Sequence, residues 1–169
     1  MTRPLLADAF DHHIWATLRL MDACLPLSDE QLSSGAPGTY GSILETWRHL
    51  VGADAGYLFG ITGGRVAEIE EAEMDLPALR ATMEGHRDHW AAVVAESVDP
   101  DLDVVRHRED GSESHAPLGI RLAQVLDHGT DHRSQVCTAL SGLGIQPPEI
   151  DAWAFAWEQG RHWDTDPTA

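Results

Sequence analysis

Apolar residues recur at helical spacing along four long segments of the chain, and this periodicity restricts its fold more than any other feature. In the first segment Leu6, Phe10 and Leu20 fall on one stripe, and Pro26 ends the pattern. An amphipathic helix has to bury its apolar stripe against another element. The chain is therefore predicted to be all-α, a four-helix bundle whose long helices span 4–25, 41–61, 76–98 and 117–143.

Two smaller elements are predicted around the last long helix. Residues 103–116 combine Val104 and Val105 with an Asp110-Gly111 turn, a pattern that favours a short hairpin before the fourth helix. After two consecutive prolines, residues 149–160 are predicted to form a short C-terminal helix. The chain has 169 residues and no repeat or long linker, so we expect one domain over 1–169.

The charge balance excludes some classes of partner. Asp and Glu number 28 against 11 Lys and Arg, which gives a formal net charge of -17. Such a charge repels phosphate backbones and anionic membrane surfaces, so we expect no nucleic acid and no membrane as partner. No apolar run is long enough to span a bilayer. An N-terminus without a long apolar stretch, and Cys24 and Cys137 in apolar helical patterns, favour a reducing cytoplasm.

Two histidines one helical turn apart give the sharpest chemical signal. His128 and His132 stand at i and i+4, so in a helix they project from one face and can hold one metal ion. They share a stripe with Val125 and Val136, which directs them toward the bundle interior. Burial of two imidazoles without partners costs free energy, and coordination removes that cost. A pair of hydrogen-bonded core histidines is the alternative interpretation.

A third ligand has to come from another helix, and the residues leave several candidates. His49 is flanked by Gly52 and Gly56, small residues that leave room for a metal and a substrate, but it lies off the most apolar stripe. His13 and His86 lie on the apolar stripes of the first and third helices. Each is a candidate ligand, a proton shuttle in a pocket, or a hydrogen-bonded core residue.

Glu45 lies one turn before His49 in the sequence. It is a candidate carboxylate ligand or a hydrogen-bonding partner of a ligand, and an exposed helical glutamate is the alternative. The remaining histidines have no supporting context, and no function is assigned to them: His12, His89, His107, His115 and His162.

Two segments resemble the DinB/YfiT-like metalloenzyme family. One is Trp47-Arg48-His49-Leu50, and the other runs from Leu126 to Val136 with the sequence LDHGTDHRSQV. The second segment is similar to the family's H-x-x-x-H-R-x-Q run. The first-helix segment 13–20 is similar more loosely, and paired histidines at 12–13 depart from the family pattern. The order of helices extends the resemblance over essentially the whole chain.

The resemblance implies a bundle of up-down-down-up type and a metal ion, zinc or nickel, held by His49, His128 and His132. It also implies a homodimer. We take the pocket candidates around that metal to be His13, Trp15, His86 and Glu45.

Three imidazole ligands leave at least one coordination position open, which is typical of a catalytic site. A metal at such a site can lower the pKa of bound water to about 7, or hold a small thiol as the nucleophilic thiolate. Resemblance to family members that use mycothiol, bacillithiol or glutathione favours a metal-dependent transferase with a low-molecular-weight thiol and a small-molecule substrate. A metal-dependent hydrolase and a non-catalytic metal-binding stress protein are the alternatives.

Overall fold

The structure is a computed structural model that describes residues 3–96, 99–108 and 110–165. The described chain is mostly helical and carries one small antiparallel sheet. In chain order its elements are α1 (Ala7–Cys24), α2 (Asp29–Leu32), α3 (Ile43–Thr62), a 3-10 turn (Glu71–Glu73), α4 (Leu76–Ala95), β1 (Asp103–His107), β2 (Glu113–Pro117), α5 (Leu118–Gly142) and α6 (Ala152–Glu158).

The four long helices bury their apolar stripes against one another. Helix α1 packs against α4 and α5, and α3 packs against the same two helices. Phe10, Trp47 and Trp90 are among the largest side chains that this packing removes from water. Burial of apolar area is the main stabilising contribution in such a core. The predicted stripes are therefore the buried faces, although Leu6 precedes α1 and is 38% exposed.

Local sequence signals explain most of the helix ends. Ser42 caps α3 in a reciprocal arrangement with Glu45, and Asp75 caps α4. At the other end of α3, Gly63 adopts a φ of 62°, a left-handed conformation that glycine reaches without steric cost. Helix α1 starts at Ala7 rather than at residue 4. The last residues predicted for the third helix, 97–98, lie outside the described residues.

The hairpin predicted before the last long helix is confirmed. Strands β1 and β2 pair with Val104 opposite Ala116, and Gly111 in the turn has a φ of 80°. Arg121 of α5 fixes the hairpin, since its Nη2 donates to the carbonyl oxygens of Val104 at 2.8 Å and Ser114 at 2.9 Å. The hairpin is thereby tied to the start of the helix that carries His128 and His132.

The short C-terminal helix is confirmed, but it is shorter than the predicted 149–160. Asp151 caps it by accepting from the backbone N–H groups of Trp153 and Ala154. Phe155 is buried, and α6 packs on α1, where Trp15 Nε1 donates to Glu158 at 3.0 Å. Helix α2 and the 3-10 turn were not predicted, because each is a single turn with no apolar period to reveal it.

Among the described residues, none of the helices has both the length and the apolar character that crossing a membrane requires.

Candidate metal centre

Three histidines from two helices converge at one point. His49 comes from α3, and His128 and His132 come from α5, where their i, i+4 spacing places both rings on the face toward α3. One ring nitrogen from each residue lies within 4.8 Å of the others, and Nε2 of His128 is 3.1 Å from Nε2 of His49. His132 is buried, and the other two are half-buried. A cluster with this spacing could hold a metal ion.

The ring of His132 is oriented by Gln135. Its Nδ1 lies 3.2 Å from Oε1 of Gln135, which also accepts from the backbone N–H of Tyr40 at 2.8 Å. The other end of the amide donates to Asp131 at 2.9 Å, which fixes which atom of Gln135 is the oxygen. Since that oxygen can only accept, Nδ1 of His132 carries the ring proton. Its Nε2 therefore keeps a lone pair, the form required of a metal ligand.

Aromatic rings enclose the cluster on two sides. Tyr40 stacks on His49 with a centroid distance of 4.0 Å and an interplanar angle of 12°. Tyr57 meets His128 edge-on at 5.9 Å. These contacts restrict the rotation of two of the three imidazoles and remove water from part of their surface.

Burial favours the neutral form of His128 and His49. Desolvation lowers the pKa of His128 to about 4, with a further contribution from His132 and His49 beside it. The pKa of His49 is also lowered, first by burial and then by His132, while Glu71 acts in the opposite direction. A metal ligand has to be unprotonated, so this environment favours coordination at neutral pH.

The cluster is reached from solvent through clefts beside His49. One cleft of about 420 Å³ is lined by Tyr40, Glu45, Arg48, His49, Glu71 and Ala72. A second, of about 390 Å³, runs along α3 past Gly52 and Gly56. A Cβ atom at position 52 would lie 2.5 Å from the Cδ atom of Glu71. A larger residue at position 52 would therefore force the Glu71 side chain to move away from α3.

The pocket candidates are distributed differently from the three histidines. Glu45 lines the cleft beside His49, although its Oε2 also accepts from the N–H of Ser42 in the α3 cap. Trp15 lies on the outer side of α1 against Phe155 and Glu158. His13 and His86 are buried, and both bind a carboxylate that the sequence analysis did not identify.

That carboxylate belongs to Asp54 of α3, which is 3% exposed. It accepts from Nε2 of His13 at 3.0 Å, from Nδ1 of His86 at 2.7 Å and from Nε1 of Trp90 at 3.0 Å. Burial alone would raise the pKa of Asp54, but the hydrogen bonds from the two histidines outweigh it and hold the pKa well below its usual range. Asp54 is therefore a buried anion with three donors.

Arg133 completes the same network from α5. Its Nη1 lies 3.0 Å from Nδ1 of His13 and 3.1 Å from Oγ1 of Thr17. Because Arg133 only donates, Nδ1 of His13 is an acceptor and the ring proton is on Nε2, facing Asp54. Burial lowers the pKa of Arg133 to about 10, so it remains charged at neutral pH. The positive charge of Arg133 and the negative charge of Asp54 thus stand on opposite sides of one neutral imidazole.

A signal for Asp54 is present in the sequence. It stands four residues after Leu50 and four before Leu58, on the apolar stripe of its helix. An acidic residue on a buried stripe requires a partner, and the histidines on the stripes of the neighbouring helices are suitable donors. Arg133 and Gln135 belong to the segment that carries the family resemblance, but their contacts could be seen only in the structure.

Neither cysteine resembles a reactive thiol. Cys24 and Cys137 are both free, and Cys24 is completely buried. Burial raises the pKa of Cys24 to about 11 and raises the pKa of Cys137 as well. Both therefore stay protonated at neutral pH.

Comparison with known proteins assigns the chain to a family. The model of the DinB family matches residues 1–165. The crystal structure of a DinB-like protein from Bacillus cereus is similar, with a TM-score of 0.66 and 20% sequence identity, over 89% of this chain and 100% of that one. At this identity the structural likeness concerns the fold alone. No curated protein matches the chain. Since the family model covers nearly its whole length, the chain belongs to the DinB family.

Proposed function

We propose that this chain is a metal-dependent transferase that uses a low-molecular-weight thiol of the mycothiol or bacillithiol type. In this proposal one zinc or nickel ion is held by His49, His128 and His132. The observation that carries it is the convergence of three ring nitrogens within 4.8 Å, one from each histidine. The resemblance to thiol-using family members supports the choice of reaction.

The donor set fits such an ion. Imidazole nitrogens suit zinc and nickel, and the lowered pKa of His49 and His128 keeps lone pairs available at neutral pH. The hydrogen bond from Nδ1 of His132 to Gln135 leaves Nε2 free for coordination. Three protein ligands leave room for a further ligand from solution.

A bound divalent metal would supply Lewis acidity that stabilises a thiolate near neutral pH. The chain's own residues then bind and orient the reactants. The three histidines fix the reacting centre, Gln135 sets the ring of His132, and Tyr40 covers one face of His49. Because Cys24 and Cys137 stay protonated, the nucleophilic sulfur has to come from a bound small molecule.

The cleft beside His49 suits a polar thiol. Glu71 and Glu45 offer carboxylate acceptors there for hydroxyl and amide donors. Arg48 is held by its Nε, which donates to the carbonyl oxygen of Met74 at 2.9 Å, and so provides a fixed cation at the same cleft. A small-molecule substrate would enter by the same route.

We also propose the up-down-down-up four-helix bundle, a homodimer and a cytoplasmic location. The packing of α1 and α3 against both α4 and α5 supports the bundle. The homodimer rests on the family resemblance, and light scattering coupled to size-exclusion chromatography tests it. The cytoplasm keeps small thiols reduced, in agreement with two free cysteines.

A metal-dependent hydrolase is the second candidate. The close approach of Glu71 to α3 at Gly52 favours it, since a carboxylate beside His49 can accept a proton from an attacking water. A metal-binding stress protein without turnover is the third.

Metal analysis followed by a thiol screen tests the proposal. Untagged protein is expected to carry about one first-row metal ion per chain, and His128→Ala or His132→Ala should remove it, while exposed His89→Ala should retain it. If both His128→Ala and His132→Ala keep their full metal content, the proposed assignment of the metal site is wrong.

The loaded protein is then incubated with bacillithiol, mycothiol or glutathione and an electrophilic acceptor. Conjugation of the acceptor that occurs with a particular one of these thiols, and is lost in His128→Ala, supports the transferase. Ester cleavage without a thiol supports the hydrolase, and absence of both reactions supports a binding protein.

A further inference from the structure

A second cavity lies away from the three histidines. It has a volume of about 370 Å³ and is bounded by α1, α5 and α6. Leu126, Phe155 and three alanines, Ala9, Ala152 and Ala156, give it apolar walls, and most of its lining surface is apolar. Its polar lining residues are Asp8, His12, His13, Thr130, Arg133 and Arg161. A cavity of this size with a mostly apolar surface and some polar groups is typical of small-molecule sites.

Arg133 has unused hydrogen-bond donors at this cavity. The residue is only 3% exposed. An arginine side chain has five N–H donors. Among the described residues, Nη1 donates to His13 and Thr17, and Nη2 donates to Thr130 at 3.1 Å. The Nε–H group and one N–H of Nη2 therefore lack a protein acceptor in the described part of the chain.

Nor does Arg133 contact a carboxylate within the described residues. His13 separates it from Asp54, whose oxygens are already occupied by His13, His86 and Trp90. A buried guanidinium with unused donors is stabilised by an acceptor that approaches Nε and Nη2. A carboxylate matches that planar pair of donors better than any other common group.

The surroundings of Arg133 limit the ligand further. Arg133 is the buried cation of this cavity, and with the Asp54 carboxylate beyond His13 it suits a ligand with one negative charge rather than two. The other cation of the lining, Arg161, is exposed and is already paired with the Asp8 carboxylate at 2.7 Å. The strongly acidic chain, with a net charge of -17, also disfavours highly charged anions. The walls of alanine, Leu126 and Phe155 require an apolar body behind the carboxylate.

We propose that the cavity between α1, α5 and α6 binds a small monocarboxylic acid with an apolar body, whose carboxylate pairs with Nε and Nη2 of Arg133. This site is independent of the metal centre and of the reaction proposed above. The ligand lies on the α1 side of α5, whereas His128 and His132 face α3.

The probes for this site are benzoate and hexanoate, with benzamide as a neutral molecule of the same shape as benzoate. Binding is measured by titration calorimetry on the full-length protein, both as purified and after treatment with a chelator. We expect saturable binding of both acids with unchanged affinity after metal removal, and at least tenfold weaker binding of benzamide.

A matched pair of variants on α6 locates the site. Ala156→Phe fills the cavity without removing any group of the Arg133 network, and it should weaken benzoate binding at least tenfold. Ala154→Phe places the same ring on the same helix outside the cavity lining, and it should bind benzoate like the unmodified chain. Arg133→Lys keeps the positive charge but loses the planar pair of N–H donors. The folded variant should therefore also bind benzoate more weakly.

The proposal is overturned if Ala156→Phe binds benzoate as tightly as Ala154→Phe, or if benzamide binds as tightly as benzoate. It is also overturned if binding disappears when the metal is removed, because the carboxylate would then be a ligand of the metal centre. These outcomes do not depend on the success of the metal and thiol experiments.

Discussion

The Oε1 atom of Gln135 lies 3.2 Å from Nδ1 of His132, three residues before it on α5. This contact fixes the tautomer of a candidate metal ligand, so its loss should weaken metal binding without removing a ligand. We expect Gln135→Leu to lower metal affinity by about 10–100-fold, the usual effect of losing such a partner. Competition with a chromogenic chelator measures the affinity.

The control for this prediction is Gln146→Leu, which removes a glutamine amide from the exposed loop after α5. It should leave metal affinity unchanged. Equal affinities in the two variants would mean that Gln135 does not orient the ligand.

Two helical glycines should respond in opposite ways to the same substitution. A Cβ atom at position 129 would lie 2.4 Å from Cε1 of His13, whereas one at position 85 would have no heavy atom within 4 Å. Gly129→Ala should therefore destabilise the protein by about 1–3 kcal/mol, the usual cost of overpacking. Gly85→Ala should stabilise it by about 0.5–1 kcal/mol through helix propensity. Urea unfolding measures the free energy of unfolding of both variants. Equal changes in the two variants would contradict the close approach of α5 to α1.

Asp54 should be one of the most costly residues to replace. Asp54→Asn removes a buried charge that compensates Arg133, and its amide group would present donors to histidine N–H groups. Breaking a buried charge network in this way costs about 3–5 kcal/mol. Chemical denaturation gives the value, with exposed Asp88→Asn as the control. If the free energy of unfolding falls by less than about 1 kcal/mol, a neutral side chain at position 54 is enough to hold the network.

The lowered pKa of Asp54 should make the stability of the protein depend on pH in the acid range. The pKa of Asp54 lies well below its ordinary value of 3.8 in the folded protein, so the unfolded chain binds this proton at higher pH. Its contribution to stability is fully present above the ordinary carboxyl range and is lost as pH falls toward the folded pKa. The free energy of unfolding should therefore decrease below about pH 4, and Asp54→Asn should show a smaller decrease over the same interval. Identical pH profiles for the two proteins would exclude Asp54 as the source.

The sequence predicted the long helices well, because each one buries a continuous apolar stripe with a period of 3.6 residues. It did not reveal α2, a single turn held by the capping box of Ser28 and Gln31, or the 3-10 turn at Glu71–Glu73, which packs against α3. The predicted boundaries differed from the observed ones at two helices. At α1 the leucines at 5, 6 and 25 continue the apolar pattern beyond the helix, and at α6 the Asp151 cap starts the helix later than predicted.

At the candidate site, spacing along one helix was enough to pair His128 with His132. His49 could not be selected by periodicity, because it faces a cleft rather than the apolar core, and only the family resemblance pointed to it. His13 and His86 were identified as inward-facing, but their partner Asp54 lies on another helix. Contacts between helices depend on rotation and axial position, which the pattern within one helix does not contain.

The buried polar network joins all four long helices through His13 of α1, Asp54 of α3, His86 of α4 and Arg133 of α5. Apolar stripes can slide past one another by a turn, about 5.4 Å, and still bury similar area. The hydrogen bonds of the network do not tolerate such a slip, because it would leave a buried charge without its partner. The network thus sets the axial alignment of the helices, and with it the distance between His49 and the histidine pair on α5.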